Sequence, residues 1–305
     1  LDRQAFGEIF ETLFSLFSIE EDAEITLEAN PDDLSEGYTH LLQELPFNRI
    51  SMGIQSFDDG ELKFLSRRHS GRQAIQAVKL CRQAGFENIS IDLMYGLPGQ
   101  TPGMWEKNLR QACELDVQHI SAYHLIYEKQ TKLYALLQKG SVRPVTDEAS
   151  TEMFSILIDT LAQNGFEHYE ISNFAKDKKY SVHNTSYWKN EKYIGLGPSA
   201  HSYNGKSRSW NVASLEKYIT EIQSGRLLQE TEKLNSVQKY NEFILTGLRT
   251  MWGVNLNLLK EEFGQELLDY CLQNARKFIR EGLIISKDNS LIMTRKGIFI
   301  SDGIM

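Results

Sequence analysis

The feature that most constrains this chain is a change of hydrophobic period that recurs along its first half. Short β-branched or apolar runs at Glu24–Ala29, Arg49–Gly53, Asn88–Met94 and His119–Ile126 alternate with amphipathic stretches at Ser35–Glu44, Gly71–Ala84 and Met104–Glu114. At each junction the period moves from about two residues to about 3.6, the marks of strand and helix. Strands separated by helices pair in parallel through right-handed crossovers, which predicts an α/β domain. Gly85 stands where a left-handed cap would end the second helix. No repeat of fixed period is present, which excludes a solenoid.

From about residue 146 the pattern changes. Thr146 can cap a long helix that has acidic residues in its first turn and ends at Gly165. Short runs with turn signals follow: HYEISNFA, HNTSYWKNEKYIGLGPSAHSYNG and SRSWNV, rich in Tyr, His, Asn and Gly and read as irregular. Near Ser236 helical periodicity returns in VQKYNEFILTGLRTM, NLNLLKEEFG and ELLDYCLQNARKFIREG. Two strands, LIISKD and LIMTRKG, close the chain around an Asp-Asn turn. Three helices and a hairpin outline a winged helix. The organisation read this way is 1–145, an α/β portion; 146–235, a helix and an irregular β segment; and 236–305, a small α+β domain.

Charge and cysteines narrow the partners. Lys plus Arg number 33 against 41 Asp plus Glu, a net charge of −8, which disfavours a non-specific nucleic-acid or anionic-membrane surface. The last helix carries both signs, with Arg276, Lys277 and Arg280 offset by Glu266, Asp269 and Glu281. A recognition helix usually has a one-sided basic face, so a packing or partner-docking role is expected for this end and no nucleic-acid partner. No apolar run approaches the roughly 18 residues of a membrane span. The opening LDRQAFGEIFETLF reads as an amphipathic helix and not as a signal peptide. Cys81, Cys113 and Cys271 lie far apart and form no CxxC, so no sequence-local zinc or iron–sulfur site can be built from them. Each reads as a small buried apolar residue in a reducing, cytoplasmic setting.

Polar residues end the strands. Glu28 closes ITLE, Gln55 follows RISMGI, Asp92 interrupts ISIDLM, and Tyr123 with His124 sits inside HISAYHLI. The carboxyl ends of successive parallel strands are where α/β proteins place their sites. A carboxylate in an apolar strand costs several kcal/mol unless something pairs with it, so Glu28 and Asp92 need a partner. Arg67, in LSRRHS, is one candidate. One such carboxylate is as readily a structural pair as a ligand contact; several on one face favour a ligand. Gly96-Leu97-Pro98-Gly99 makes a tight loop beside that face, a weak signal alone. Walker, GxSxG and HExxH motifs are absent, which leaves phosphate-loop, serine-hydrolase and zincin chemistry without support.

These segments resemble a known family. EANP at Glu28–Pro31, RISMGIQSF at Arg49–Phe57, SRRH with Arg67, IDLMYGLPGQT at Ile91–Thr101 and HISAYHLIYEKQT at His119–Thr131 look like the radical S-adenosylmethionine core of coproporphyrinogen III oxidase-like proteins. YEISNFA, HNTSYW at His183–Trp188 and GLGPSAHSY at Gly195–Tyr203 are similar to the HemW-type haem-chaperone branch. The resemblance covers essentially the whole chain. It implies a partial (β/α)6 barrel followed by the small winged-helix-like C-terminal domain. Glu28 would then bond the amino-acid or ribose part of S-adenosylmethionine, with Arg67 facing its carboxylate, Asp92 a ribose hydroxyl, and Gln55 completing the shell. A zwitterionic sulfonium suits acceptor carboxylates and an arginine fork. Met94 and Ile126 match positions lining the adenosine, with plain core packing as the alternative for both.

The chain departs from the family in one respect. Members begin with a strand bearing CxxxCxxC, whose thiolates hold a [4Fe–4S] cluster, and a second strand ending in GGGTP; neither is here, and Leu1 enters what reads as the following helix. The expectation is a barrel lacking its first two strands, with the cluster's ligands outside this chain and no radical chemistry by these residues alone. His183, in an aromatic-rich tract, is the candidate axial ligand of haem, ahead of His201; Tyr187 and Trp188 are haem contacts or core. The resemblance implies haem and haem-acceptor proteins as partners, including membrane-bound acceptors reached peripherally. Oxygen-independent oxidation of coproporphyrinogen III is the alternative activity.

Overall fold

Every apolar run of the first half forms a strand in the computed structural model, which describes residues 1–305. The chain divides into two units, Leu1–Tyr180 and Ser181–Met305. In the first, α1 (Arg3–Leu16) starts from Asp2, whose carboxylate accepts from the Ala5 amide, and precedes β1 (Thr26–Ala29). α2 (Glu36–Gln43) leads into β2 (Arg49–Gln55). Next come α3 (Asp59–Phe64), α4 (Gly71–Gln83) and β3 (Asn88–Tyr95), then α5 (Pro102–Glu114) and β4 (His119–His124). The unit finishes with α6 (Lys132–Gln138), α7 (Asp147–Gln163), β5 (Glu167–Glu170) and β6 (Asn173–Ala175).

These strands make one six-stranded sheet in the order β1-β2-β3-β4-β6-β5. The four strands separated by helices are parallel, as crossover connections require. β6 instead pairs antiparallel with β4, and β5 antiparallel with β6. The two-residue link between them permits only a hairpin, a switch that strand–helix alternation upstream does not announce. β4 ends at His124, so Ile126 lies past the strand in which it was read.

The second unit opens with a helix where the sequence predicts irregular structure. HNTSYW is not irregular: α8 (Val182–Trp188) contains it, started by Ser181, whose hydroxyl accepts from the Asn184 amide. β7 (His201–Tyr203), β8 (Ser207–Asn211), α9 (Leu215–Gln223) and β9 (Gln229–Lys233) follow, and the three strands form an antiparallel sheet in chain order. The C-terminal part comprises α10 (Ser236–Leu248), β10 (Val254–Asn255), α11 (Leu256–Arg280), β11 (Ile284–Lys287), β12 (Ser290–Met293) and α12 (Arg295–Ile298). α11 holds two of the three helices read from the sequence, broken where Gly264 takes φ +84°. Asp288 and Asn289 both adopt positive φ, the two-residue turn that suits strand twist. LIMTRKG is a strand only as far as Met293, because the Thr294 hydroxyl accepts from the Gly297 amide and starts a helical turn. Tyr240, Leu248, Val254, Leu259, Cys271, Ile284 and Leu291 are among the residues that build its core. No helix is long and apolar enough to cross a membrane.

Candidate functional site

Side chains alternate along a strand, so the sheet of the first unit has two unlike faces. Ile50, Met52 and Ile54 of β2, Ile89, Ile91 and Leu93 of β3, and Ile120 of β4 are wholly buried. They form the face that packs against helices such as α4. The residues between them carry polar groups to the opposite face. Glu28, Ser51, Ser90 and His119 lie side by side across β1 to β4, and Asp92 pairs with Ser121 one step further along.

β2 is deformed where this face meets the strand ends. Its register on β3 slips between Met52 and Gln55, and Gln55 takes φ +68°, a backbone state that side chains rarely adopt. Bulges and left-handed residues of this kind cost about 1–3 kcal/mol and gather at functional sites. Gly53 lies in the slip: a Cβ there would sit 3.0 Å from Gln55 Nε2 and 3.3 Å from Arg67 Nη2. The missing side chain leaves room for an amide and a guanidinium to come together. Arg67 Nη2 also donates to Asn30 Oδ1 at 2.6 Å and to the Gly53 carbonyl at 2.7 Å, tying the end of β2 to the turn after β1.

Asp92 is half-buried, and burial pushes its carboxyl up to about 6. A hydrogen bond from Ser121 opposes that rise, Glu28 adds to it, and Arg49 and Arg67 pull it back. Arg49 is itself buried, with Nε 3.7 Å from Glu24 Oε2 and Nη1 donating to Thr26 Oγ1 at 3.4 Å. Tyr123 sits beside Asp92, and burial raises its phenol, with Asp92, Glu170 and Glu28 adding to the rise. Met94 is half-buried; Ile126 is 71% exposed, so core packing does not account for it.

Glu28, Gln55, Arg67 and Asp92, read from four separate segments, therefore meet around one strand-end face. Sequence reading passed over Asn30, Arg49 and Ser121, which serve the same face. Arg49, Ser51 and Gly53 alternate with Ile50, Met52 and Ile54, and that alternation was the available signal.

The donor set fits S-adenosylmethionine. Asp92 is a poorly solvated carboxylate with a second acid nearby, and ligand hydroxyls together with a cationic sulfonium would relieve both burdens. Arg67 spends both hydrogens of Nη2 on Asn30 and the Gly53 carbonyl, and keeps its charge and the donors of Nη1 and Nε for a carboxylate. An iron–sulfur cluster does not fit the side chains present. Cys81, Cys113 and Cys271 sit on α4, α5 and α11, and no group of three ligating side chains could hold a metal ion.

His183 belongs to the second unit. It is exposed on α8, its ring edge-on to Tyr187 with centroids 4.9 Å apart. Tyr187 is 38% exposed and meets Tyr193 at 4.7 Å, which in turn lies 6.2 Å from Tyr203. The imidazole thus heads a row of three tyrosines. Trp188, the next residue, lies under the Arg249 guanidinium at 4.8 Å and lines a cavity of about 350 Å³ with Phe243 and Trp252. Of the two rings read as contacts or core, Tyr187 joins the exposed row and Trp188 packs inward. His201 lies 5.8 Å from Trp210.

Comparison with known proteins places these units. The profile of the Radical SAM superfamily matches residues 2–112, and that of the HemN C-terminal domain matches residues 234–300. The haem chaperone HemW of Bacillus subtilis is 37% identical over 276 residues, 90% of this chain and 73% of that protein. That of Lactococcus lactis is 33% identical, covering 92% of this chain and 74% of its own length. Coproporphyrinogen III oxidase from Escherichia coli, a radical SAM enzyme, superposes with a TM-score of 0.82 at 20% identity, over 100% of this chain and 74% of that one. With these relationships the chain belongs to the HemW-type family of radical S-adenosylmethionine proteins.

Proposed function

We propose that this chain is a haem chaperone: it binds S-adenosylmethionine on the polar face of its first unit, holds haem through His183 in its second, and hands haem to acceptor proteins. The observation that carries the haem part is the exposed imidazole at the head of the tyrosine row, a surface suited to a flat apolar macrocycle with an axial nitrogen. In the first unit Arg67 faces the cofactor's carboxylate, Asp92 accepts from a ribose hydroxyl, Glu28 bonds the amino-acid or ribose portion, Gln55 completes the shell, and Met94 and Ile126 flank the adenosine. When bound, S-adenosylmethionine supplies a cleavable sulfonium. Membership of the family implies a [4Fe–4S] cluster as well; the cysteines of this chain do not form its site, and no step is routed through it. The chaperone would work in the cytoplasm and reach membrane-bound acceptors peripherally.

Haem titration of the full chain, followed at the Soret band, tests the reading. His183→Ala should lose the axial-ligand spectrum and weaken binding about tenfold or more; unchanged spectrum and affinity would remove His183 as ligand. Soret shifts on mixing the haem-loaded chain with an apo-haemoprotein test delivery. Decarboxylation of coproporphyrinogen III without haem transfer, by a reconstituted protein that joins this chain to a segment carrying the cluster's cysteines, would replace the chaperone reading with the oxidase one.

A further inference from the structure

A buried polar group between two loops of the first unit has no part in the reading above. Glu61 of α3 is 6% exposed and Gln100, which closes the loop after β3, is 4% exposed; Ser56 and Asn108 are equally buried. Gln100 Nε2 donates to Glu61 Oε1 at 2.9 Å. Asn108 Nδ2 and Ser56 Oγ donate to Glu61 Oε2 at 3.0 and 2.5 Å. All three donors are neutral. A buried carboxylate held by neutral donors is less stabilising than a packed apolar side chain of its size, so its presence asks for a reason beyond stability.

The reason lies in what its donors hold. Gln100 Oε1 accepts from the Gly96 amide at 2.8 Å, and Asn108 Oδ1 accepts from the Phe57 amide at 2.6 Å. Gly96 follows β3, four residues beyond Asp92, with φ +75° and its Cβ position only 2.4 Å from His124 Nε2. Phe57 lies two residues past the strained Gln55. One carboxylate thus fixes both backbone segments at the mouth of the polar face. The polarity admits a single arrangement: Gln100 turns its oxygen to Gly96 and its nitrogen to Glu61.

We propose that Glu61 and Gln100 form a positioning pair that locks the Gly96–Gln100 loop and the bulged end of β2, and so sets the affinity of the Asp92 face for a sulfonium nucleoside. The affinity half rests on the cofactor reading; the loop half does not.

Three variants of the full chain test it: E61Q, Q100E and the double exchange E61Q/Q100E. In E61Q the new amide keeps the bonds from Asn108 and Ser56 by turning its oxygen to them, so its nitrogen faces Gln100 Nε2, and flipping Gln100 to repair this turns a donor toward the Gly96 N–H. In Q100E two carboxylates face each other. The double exchange restores every bond. The new amide at position 61 donates to the new carboxylate at position 100 and accepts from Asn108 and Ser56, while Gly96 keeps its acceptor and the charge is unchanged.

Equilibrium dialysis with S-adenosylmethionine and amide exchange of Gly96 by NMR are the readouts. Each single variant should weaken binding about tenfold and speed Gly96 exchange by about the same factor or more; the double should return both to within about threefold of wild type. Unchanged Gly96 exchange in the single variants overturns the proposal, as does a double variant no better than either single. Should a single variant not fold, folding of the double decides in the same sense. A wild-type chain that binds no S-adenosylmethionine removes the cofactor reading, and exchange at Gly96 then decides on the pair alone.

Discussion

The two units hold their candidate ligand groups in opposite ways. In the first, Asp92 and Arg67 are fixed by strand ends, by Ser121 and Asn30, and by the buried carboxylate of Glu61 behind the adjoining loops. In the second, His183 stands exposed on a seven-residue helix, with ring edges as its neighbours. A preorganised face gives up stability to hold charges out of water, while an exposed imidazole gives up almost none. Substitution of the buried charged groups of the first unit should therefore change stability and binding together; substitution of His183 itself should change binding alone.

The largest effect is expected at His119, on the floor of the polar face. It is fully buried, with Nδ1 2.8 Å from Ser90 Oγ and Nε2 2.8 Å from the Tyr169 hydroxyl. His119→Leu removes both bonds inside the protein and should cost about 3 kcal/mol at neutral pH, read from the denaturation midpoint. Burial, with Arg49 adding, pushes this histidine down to about 3. On acidification below pH 6.5 the unfolded chain takes up a proton that the folded one refuses until about 3, so the histidine's contribution to stability shrinks. The H119L deficit should accordingly close as the pH falls from 6.5 toward 4.

Asp92 has the opposite slope. Its folded carboxyl holds a proton up to about 6 and its unfolded one only to 3.8, so wild type gains stability from this group as pH falls between those values. Asp92→Asn, a neutral isostere, should be more stable than wild type above pH 6, by up to about 3 kcal/mol, and equal to it below pH 4. The same variant should flatten the rise in S-adenosylmethionine affinity that ionisation of Asp92 gives wild type through pH 6. A D92N chain less stable at pH 7 would mean that Asp92 is satisfied within the protein, and the contrast between the units would weaken.

Gly53→Ala probes the same face more gently. Its methyl group would press on the ends of two long side chains, Gln55 Nε2 at 3.0 Å and Arg67 Nη2 at 3.3 Å; the guanidinium would shift by a few tenths of an ångström against its bonds to Asn30 and the Gly53 carbonyl, with no movement of backbone. Melting should stay near wild type while S-adenosylmethionine binding falls about fivefold. Loss of stability without loss of affinity would show that these two ends face no ligand.

Much of the first unit was legible because alternation in a parallel strand reports directly on which side chains share a face. What escaped was set by contacts distant in sequence. The slip in β2 depends on β3 and on Arg67, so nothing within RISMGIQ announces a left-handed Gln55. Arg49 read as a strand boundary, since a cation at the head of an apolar run resembles an end. HNTSYW escaped for another reason: Asn, Thr, Ser and His have weak helix propensity, and the tract has no apolar stripe. Its helix follows from the Ser181 cap and from packing against α10. The buried group around Glu61 was invisible, because the partners of its carboxylate, Gln100 and Asn108, lie 39 and 47 residues further along the chain.

The smallest effect is expected at Tyr187 when only its hydroxyl is removed, and there the two units' contrast is tested most finely. Its ring meets His183 at 4.9 Å and Tyr193 at 4.7 Å. Ring contacts of this geometry contribute about 0.5–1.5 kcal/mol. Tyr187→Ala should therefore weaken haem binding about three- to tenfold while leaving the axial-ligand spectrum of His183 in place, and Tyr187→Phe, which keeps the ring, should bind as wild type does. Most of the ring is covered and both ring contacts lie within the protein, so Tyr187→Ala should also lower stability by about 1–2 kcal/mol, while Tyr187→Phe should stay within about 0.5 kcal/mol of wild type. A Phe variant as weak as the Ala one would assign the effect to the hydroxyl. The tyrosine row would then be a hydrogen-bonding surface instead of an apolar one, and the second unit would resemble the first in how it meets its ligand.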